Sequence, residues 1–248
     1  MNAIYVMWMR QLKRYLRSKA RIVGSMAQPL LFLVALGFGF GPIYAKAGGG
    51  NYIQFLTPGI IGMSIMFLAI FTGVDMIWDR EFGFLKETLV APVPRSQLVF
   101  GRMLGGATVA TGQGIIVLLL SMVAGFRPVS IWQLPFAVMV MFLIALLFTA
   151  FGTAIGSVME DMHGFQLITN FLVMPMFFLS GALFPLDNLP TFVRYVAACD
   201  PLFYGVDAMR SFLIGVAHMN VGLDIAILAT ISFALLGIGS WLFSRIEL

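Results

Sequence analysis

Few side chains in this sequence have the type and spacing that chemistry needs. Glu160, Asp161 and His163 fall within four residues of one another. A metal or proton site would use such a cluster, and so would the ordinary polarity of a helix end. His163 and His218 are the only histidines and Cys199 the only cysteine, so one chain can build neither a histidine-rich metal centre nor an intrachain disulfide. None of Lys13, Lys19, Lys46 or Lys86 follows a glycine, which rules out the G-x-x-x-x-G-K-[ST] phosphate loop and ATP hydrolysis by this chain alone. No G-x-S-x-G nucleophile elbow is present either. Inside the long apolar runs the polar groups are uncharged, chiefly Gln113, Thr149, Thr153 and Asn170. They suit a lined pathway or hydrogen bonds between helices. Ion-coupled carriers hold ionisable groups within the membrane, and here the charges stop at the edges of the runs, as Asp75 does, so energy for transport is expected to enter from outside the bilayer.

The elements that carry these residues are membrane helices. Of the 248 residues, 60% are hydrophobic and 10% charged, with a mean hydropathy of +0.96. That is too little charge to coat a soluble domain, of which about a quarter is charged. Six uncharged runs, 22–43, 53–74, 103–123, 134–158, 165–184 and 225–243, each approach or exceed the about 20 residues a spanning helix needs. None alternates as a barrel strand would. The fold class is therefore an all-α integral membrane protein, with one membrane domain over 1–248. Eleven lysines and arginines flank the runs on one side against four on the other, which places both termini in the cytoplasm. The basic stretch ahead of the first run is long, and no small-residue cleavage pattern follows that run, so a cleaved signal peptide is not expected.

Three segments outside the runs stand out. Over 3–21, Arg10, Lys13, Arg14, Arg17 and Arg21 share one arc of a helix and Ile4, Trp8, Leu12, Tyr15 and Leu16 the other, with Lys19 breaking the pattern. This predicts an interfacial helix with its apolar face in the headgroup boundary and its cations toward anionic lipid. In the second connection Trp78, Phe82, Leu85 and Leu89 recur on one helix face, charges of both signs lie elsewhere, and Pro92 and Pro94 end the pattern. That helix is either a docking element or a solvated interfacial helix without a partner. The third segment, 185–224, is broken by prolines. Asp200-Pro201 suits an N-cap and first helical position, and Asp207 and Arg210 stand three apart, a spacing at which they can pair. Two short helices are expected there, dipping into the outer leaflet and returning, or forming a surface cap.

The stretch DREFGFLKETLVAPVPR from Asp79 to Arg95 resembles the signature region of the ABC type-2 permease family, in the branch of the daunorubicin-resistance and nodulation-factor export permeases. So do FLSGALFP from Phe178 to Pro185, followed by Leu189-Pro190, and Asp200-Pro201-Leu202 with Tyr204, Asp207, Ala208 and Arg210, although Met209 stands where the family pattern has leucine. The resemblance covers the whole chain in length, span count and span order. It implies a non-catalytic subunit of an ATP-driven exporter in the prokaryotic cytoplasmic (inner) membrane. A second permease subunit, identical or different, would pair with it, and a separate ABC ATP-binding subunit would hold ATP and Mg; the chain itself would hold no cofactor, bind membrane lipids and bind no nucleic acid. A coupling helix over 79–91 would meet the ATPase through Arg80, Glu81, Phe82, Gly83, Phe84, Leu85, Lys86, Glu87 and Thr88. The family's connecting helix would match 7–19, with Arg10, Lys13, Arg14 and Arg17. An external gate over 185–215 would include Pro185, Pro201, Tyr204, Asp207 and Arg210. Met66, Phe67, Phe71, Asn170, Met174, Phe177 and Phe178 would line a cavity between the second and fifth spans. Such methionines and phenylalanines suit a hydrophobic drug or lipid-like cargo better than a charged sugar, with glycans also carried in the family. The rival classes are an ion-coupled secondary carrier or passive channel, and a membrane-embedded enzyme or scaffold.

Overall fold

The computed structural model describes residues 3–48, 50–84, 92–159, 161–186 and 190–245, and all regular structure among them is helical. The helices are α1 (Ala3–Arg17), α2 (Lys19–Lys46), α3 (Tyr52–Ile70), α4 (Val74–Glu81), α5 (Arg95–Val123), α6 (Leu134–Val158), α7 (Met162–Leu179), α8 (Thr191–Ala198), α9 (Pro201–Ile214) and α10 (Val221–Ser244). Six helical stretches are long and apolar enough to cross a membrane: Lys19–Lys46, Tyr52–Glu81, Arg95–Val123, Ile131–Val158, Met162–Leu179 and Val221–Ser244. In hydrocarbon the backbone must satisfy its own polar groups, which is why such runs can only be helices or closed barrels.

The six follow the predicted runs in order and differ from them at the ends. The second continues past 74 as α4, through a 3-10 turn at Phe71–Gly73, and the third begins at Arg95 rather than 103. Both extensions carry charges, and the helices persist because those charges are paired inside the protein, as described below. The fifth stops at Leu179, short of 184, where Gly181 takes the left-handed conformation (φ 71°) that favours glycine. Starts are set by side-chain caps: Asn51, Asp161, Asp200 and Asn220 accept from the amides of Ile53, Gly164, Leu202 and Gly222.

Successive spans alternate in direction, which the contacts at either end establish. At one end, the α1 end, Arg95 donates to the Ser244 carbonyl (2.9 Å). At the opposite end the Tyr52 hydroxyl donates to the Leu183 carbonyl (2.9 Å) and the Val129 amide to the Leu213 carbonyl (2.9 Å). The start of α1 and the end of α10 therefore share a side. Helix α3 is the axis of the bundle, buried along most of its length against α5, α6 and α9. Helices α2, α7 and α10 bury only one edge each.

Lipid is as apolar as a core side chain, so close packing rather than hydrophobicity holds membrane helices together. The tightest approach joins the 3-10 turn of the second span to α6. A Cβ on Gly73 would run into the Gly152 carbonyl oxygen, and one on Gly152 into that of Ile70. The kink in the second span is thereby clamped by backbone against backbone.

Candidate functional site

The charged side chains collect at the α1 end. Helix α1 buries Met7, Gln11 and Tyr15, at i, i+4 and i+8, against α5. The opposing surface is cut by glycines: a Cβ on Gly101 would lie 2.6 Å from the Ile4 carbonyl oxygen, and one on Gly105 2.7 Å from Gln11 Cβ. Two hydrogen bonds fix the register, Trp8 Nε1 to Thr108 Oγ1 (3.0 Å) and Tyr15 hydroxyl to Gln113 Oε1 (2.9 Å). The expectation of an apolar face lying in lipid is thus corrected for Trp8 and Tyr15, which turn to protein because the glycines of α5 let the two backbones approach. Leu16 stays exposed. Gln113 serves as a bond between helices, and Thr153 is spent on the Thr149 carbonyl.

With α1 held there, its arginines reach the second span. Asp75 and Asp79, one turn apart on α4 and each 4% exposed, accept all the ion pairs found among the described residues. Arg21 grips Asp75 with both terminal nitrogens (3.3 and 3.4 Å), and Arg14 bridges Asp75 (3.3 Å) and Asp79 (3.6 Å). Arg10 (3.3 Å) and the buried Arg102 of α5 (2.7 Å) complete the shell of Asp79. Lys13 and Arg17, on the same arc in sequence, are exposed. Arg10 and Arg14, expected to face lipid only, remain about a third exposed and are held as well by the two buried carboxylates. Charged groups therefore do not stop at the span edges, since Asp75, Asp79 and Arg102 all lie within helices long enough to cross. The signal was available in the sequence, with Arg10/Arg14 and Asp75/Asp79 both four apart on single helix faces.

Beyond this cluster the chain turns outward. Arg80 points into the bundle, donating to the Ser157 (3.1 Å) and Met159 (3.2 Å) carbonyls at the end of α6, a favourable place for a cation. Its hydrogen bonds tie the second span to α6. Helix α4 ends at Glu81, the Phe82 amide still bonding the Trp78 carbonyl and the Gly83 amide that of Arg80. Gly83 then takes φ 78°, and Phe84 resumes helical backbone. Among the described residues the helix expected over 79–91 is interrupted at Gly83. Glu81 is exposed, Phe82 is 69% exposed and Phe84 52%. Leu85, Lys86, Glu87 and Thr88 lie outside the described residues, as does Glu160; Asp161 caps α7.

At the opposite end, α8 and α9 are the two short helices foreseen between the fifth and sixth spans, and Pro201 opens α9 behind the Asp200 cap. Burial pushes the Asp200 carboxyl up to about 7, against the opposing pull of the Leu202 amide. Tyr204 donates to the Ala198 carbonyl (2.7 Å), folding α9 back on α8. The expected Asp207–Arg210 pair is not made. Asp207 accepts from the amides of His218 (3.0 Å) and Met219 (2.9 Å), whereas Arg210 donates to the Gly181 carbonyl (2.6 Å) and lies 4.0 Å over the Phe55 ring. Each is drawn to the neighbour that buries it. Arg210 and Pro185 also line a 530 Å³ cleft that opens at this end beside Tyr44 and Arg127.

The seven side chains named for a cavity divide. Met66 and Phe177 are sealed in the core of the chain, Phe177 with its ring edge-on to Phe32, so neither lines an accessible cavity. Phe67 is half-buried, and Phe71, Asn170, Met174 and Phe178 are exposed.

Comparison with known proteins agrees with this architecture. Nodulation protein J of Rhizobium leguminosarum bv. viciae is 30% identical over 212 residues, covering 84% of this chain and 81% of that protein. Nodulation protein J of Rhizobium meliloti (strain 1021) is 28% identical, covering 84% and 80%. The inner membrane transport permease YadH of Escherichia coli (strain K12) is 26% identical over 216 residues, covering 86% and 84%. The model of the family described as ABC-2 type transporter matches residues 2–214, from α1 through the first five spans to the end of α9, and this multi-pass membrane chain belongs to that family.

Proposed function

We propose that the chain is the membrane permease of an ATP-driven exporter in a prokaryotic inner membrane, with the α1 end in the cytoplasm. A second permease subunit pairs with it, and a separate ATP-binding subunit docks on the segment that begins at Glu81. One observation carries the reading. The second span ends in an exposed aromatic tip at Phe82, followed by a turn at Gly83, while the stem before Glu81 is locked to three other helices by Asp79 and Arg80. An apolar tip supplies the buried contact a partner needs, and the locked stem transmits its movement to α1, α5 and α6 together. ATP and Mg belong to the partner, and the cargo is a hydrophobic drug, a lipid-like molecule or a glycan. The name of one relative, inner membrane transport permease, supports transport across that membrane.

The test is co-expression with a candidate ABC ATPase from the same genome. Phe82→Asp and Gly83→Pro are expected to insert and fold as the parent does, yet to lose co-purification of the ATPase and transport-coupled ATP hydrolysis. Normal association and transport by both variants would overturn the reading. An ion-coupled carrier has one observation in its favour, the fully buried Asp224 facing Asp207 at the opposite end. Transport that survives ATP depletion and stops when the proton gradient collapses would establish that alternative.

A further inference from the structure

Beside the arginine cluster lies a cleft of 360 Å³ lined from α1, α2, the end of α3, α4 and α5, whose charged lining is Arg14, Arg21 and Asp75. A second cleft of 220 Å³ shares Leu68 and Phe71 with it and runs on along α3 to Met63. Together they form one groove, charged at the α1 end and walled elsewhere mainly by apolar side chains. From Asp75 to Met63 is twelve helical residues, about 18 Å, and one leaflet of a hydrocarbon core about 30 Å thick measures about 15 Å. The groove thus has the depth of a single leaflet. On the α2 side its wall is low: Gly24 lines both clefts, and a Cβ built there meets nothing within 4 Å.

The charge at the α1 end does not balance. Four arginines, Arg10, Arg14, Arg21 and Arg102, share two carboxylates, Asp75 and Asp79, leaving a surplus of two positive charges. The carboxylate side chains are 6% exposed, whereas Arg14 and Arg21 are about a third exposed, so the unneutralised face of the cluster opens on the groove. Guanidinium groups in pairs are suited to phosphate through charge-assisted, bidentate hydrogen bonds. A free anion would leave the apolar length unused, and a neutral lipid would leave the surplus charge unmet.

We propose that this groove binds one anionic glycerophospholipid from the leaflet beside α1, its phosphate on Arg14 and Arg21 and an acyl chain along α3 from Phe71 toward Met63. The site needs the membrane placement of the helices and not the ATPase. It is therefore measured on the permease alone, and its failure is separate from failure of the proposed function.

The experiment is native mass spectrometry of the purified full-length chain in detergent, titrated with phosphatidylglycerol, phosphatidylcholine or glycerol 3-phosphate. Phosphatidylglycerol is expected to bind one per chain, about tenfold tighter than phosphatidylcholine, without competition from glycerol 3-phosphate. The double variant Arg14→Gln/Arg21→Gln should lose that tenfold preference. Gly24→Leu should block both lipids by filling the groove, and Lys13→Gln/Arg17→Gln, which removes the same charge from the exposed arc, should bind as the parent does. Equal affinity for the two lipids, unchanged binding by Gly24→Leu, or an equal loss in the Lys13/Arg17 variant would overturn the site. Effective competition by glycerol 3-phosphate would overturn it in favour of a free-anion site. If the arginine variant fails to fold, the headgroup comparison and Gly24→Leu still decide.

Discussion

At the scale of single residues, the balance between desolvation and pairing separates arginines that look alike in sequence. Arg102 is buried at 2.7 Å from Asp79, whereas the side chain of Arg10, on the same carboxylate, is 37% exposed. Removing one partner of a buried pair costs about 3–5 kcal/mol because a charge is stranded, against about 0–1 kcal/mol for an exposed pair. Arg102→Gln is therefore expected to destabilise the detergent-solubilised chain several-fold more than Arg10→Gln, and thermal unfolding of the two variants checks it. Asp200 makes a prediction of opposite kind. Its carboxyl, pushed by burial up to about 7 from 3.8, keeps a proton in the folded chain that the unfolded chain has released. The stabilisation is complete below about pH 4 and is lost as pH rises to about 7, since the folded state then binds more protons than the unfolded one. Melting temperatures of the parent should fall across that window, and Asp200→Asn, which keeps the cap on Leu202, should flatten that part of the profile.

At the scale of elements, α1 is held by fit to α5. An added side chain at Gly101 meets the backbone of α1, whereas one at Gly112, further along α5, meets nothing within 4 Å. Overpacking costs about 1–3 kcal/mol, so Gly101→Val should lower the melting temperature and open α1 to protease, and Gly112→Val should do neither. The displaced helix would also withdraw Arg10 and Arg14 from Asp75 and Asp79. One glycine on α5 thereby governs the charge balance of α4, a coupling absent from any one helix.

At the scale of the whole molecule, alternation of the spans places the α1 end and the α8–α9 end on opposite faces. Cys199 is exposed at the latter and is the only cysteine in the chain. A membrane-impermeant maleimide should therefore label it in intact spheroplasts. The variant Cys199→Ser/Phe82→Cys should be labelled only after permeabilisation, because Phe82 is exposed on the other face. Labelling of both from outside, or of Cys199 only after permeabilisation, would reverse or break the proposed orientation.

Helix number and order were legible from the chain itself, because a run of about 20 apolar residues has few solutions in hydrocarbon other than a helix. The Asp200 cap and the short helices after it were legible for a similarly local reason, the fixed geometry of a capping side chain followed by proline. Partners distant in sequence were not. Asp207 and Arg210 stand at pairing distance along the helix, yet the fold offers each a better neighbour, the 218–219 amides and the Gly181 carbonyl. The basic arc of α1 and Arg21 reads as one lipid-facing surface until α5 holds α1 across Asp75 and Asp79, which stand 54 residues from Arg21 and 69 from Arg10. Periodicity along a chain says which residues share a face. What that face meets is decided by how closely two backbones can approach, and here the glycines of α5 and α6 set that distance.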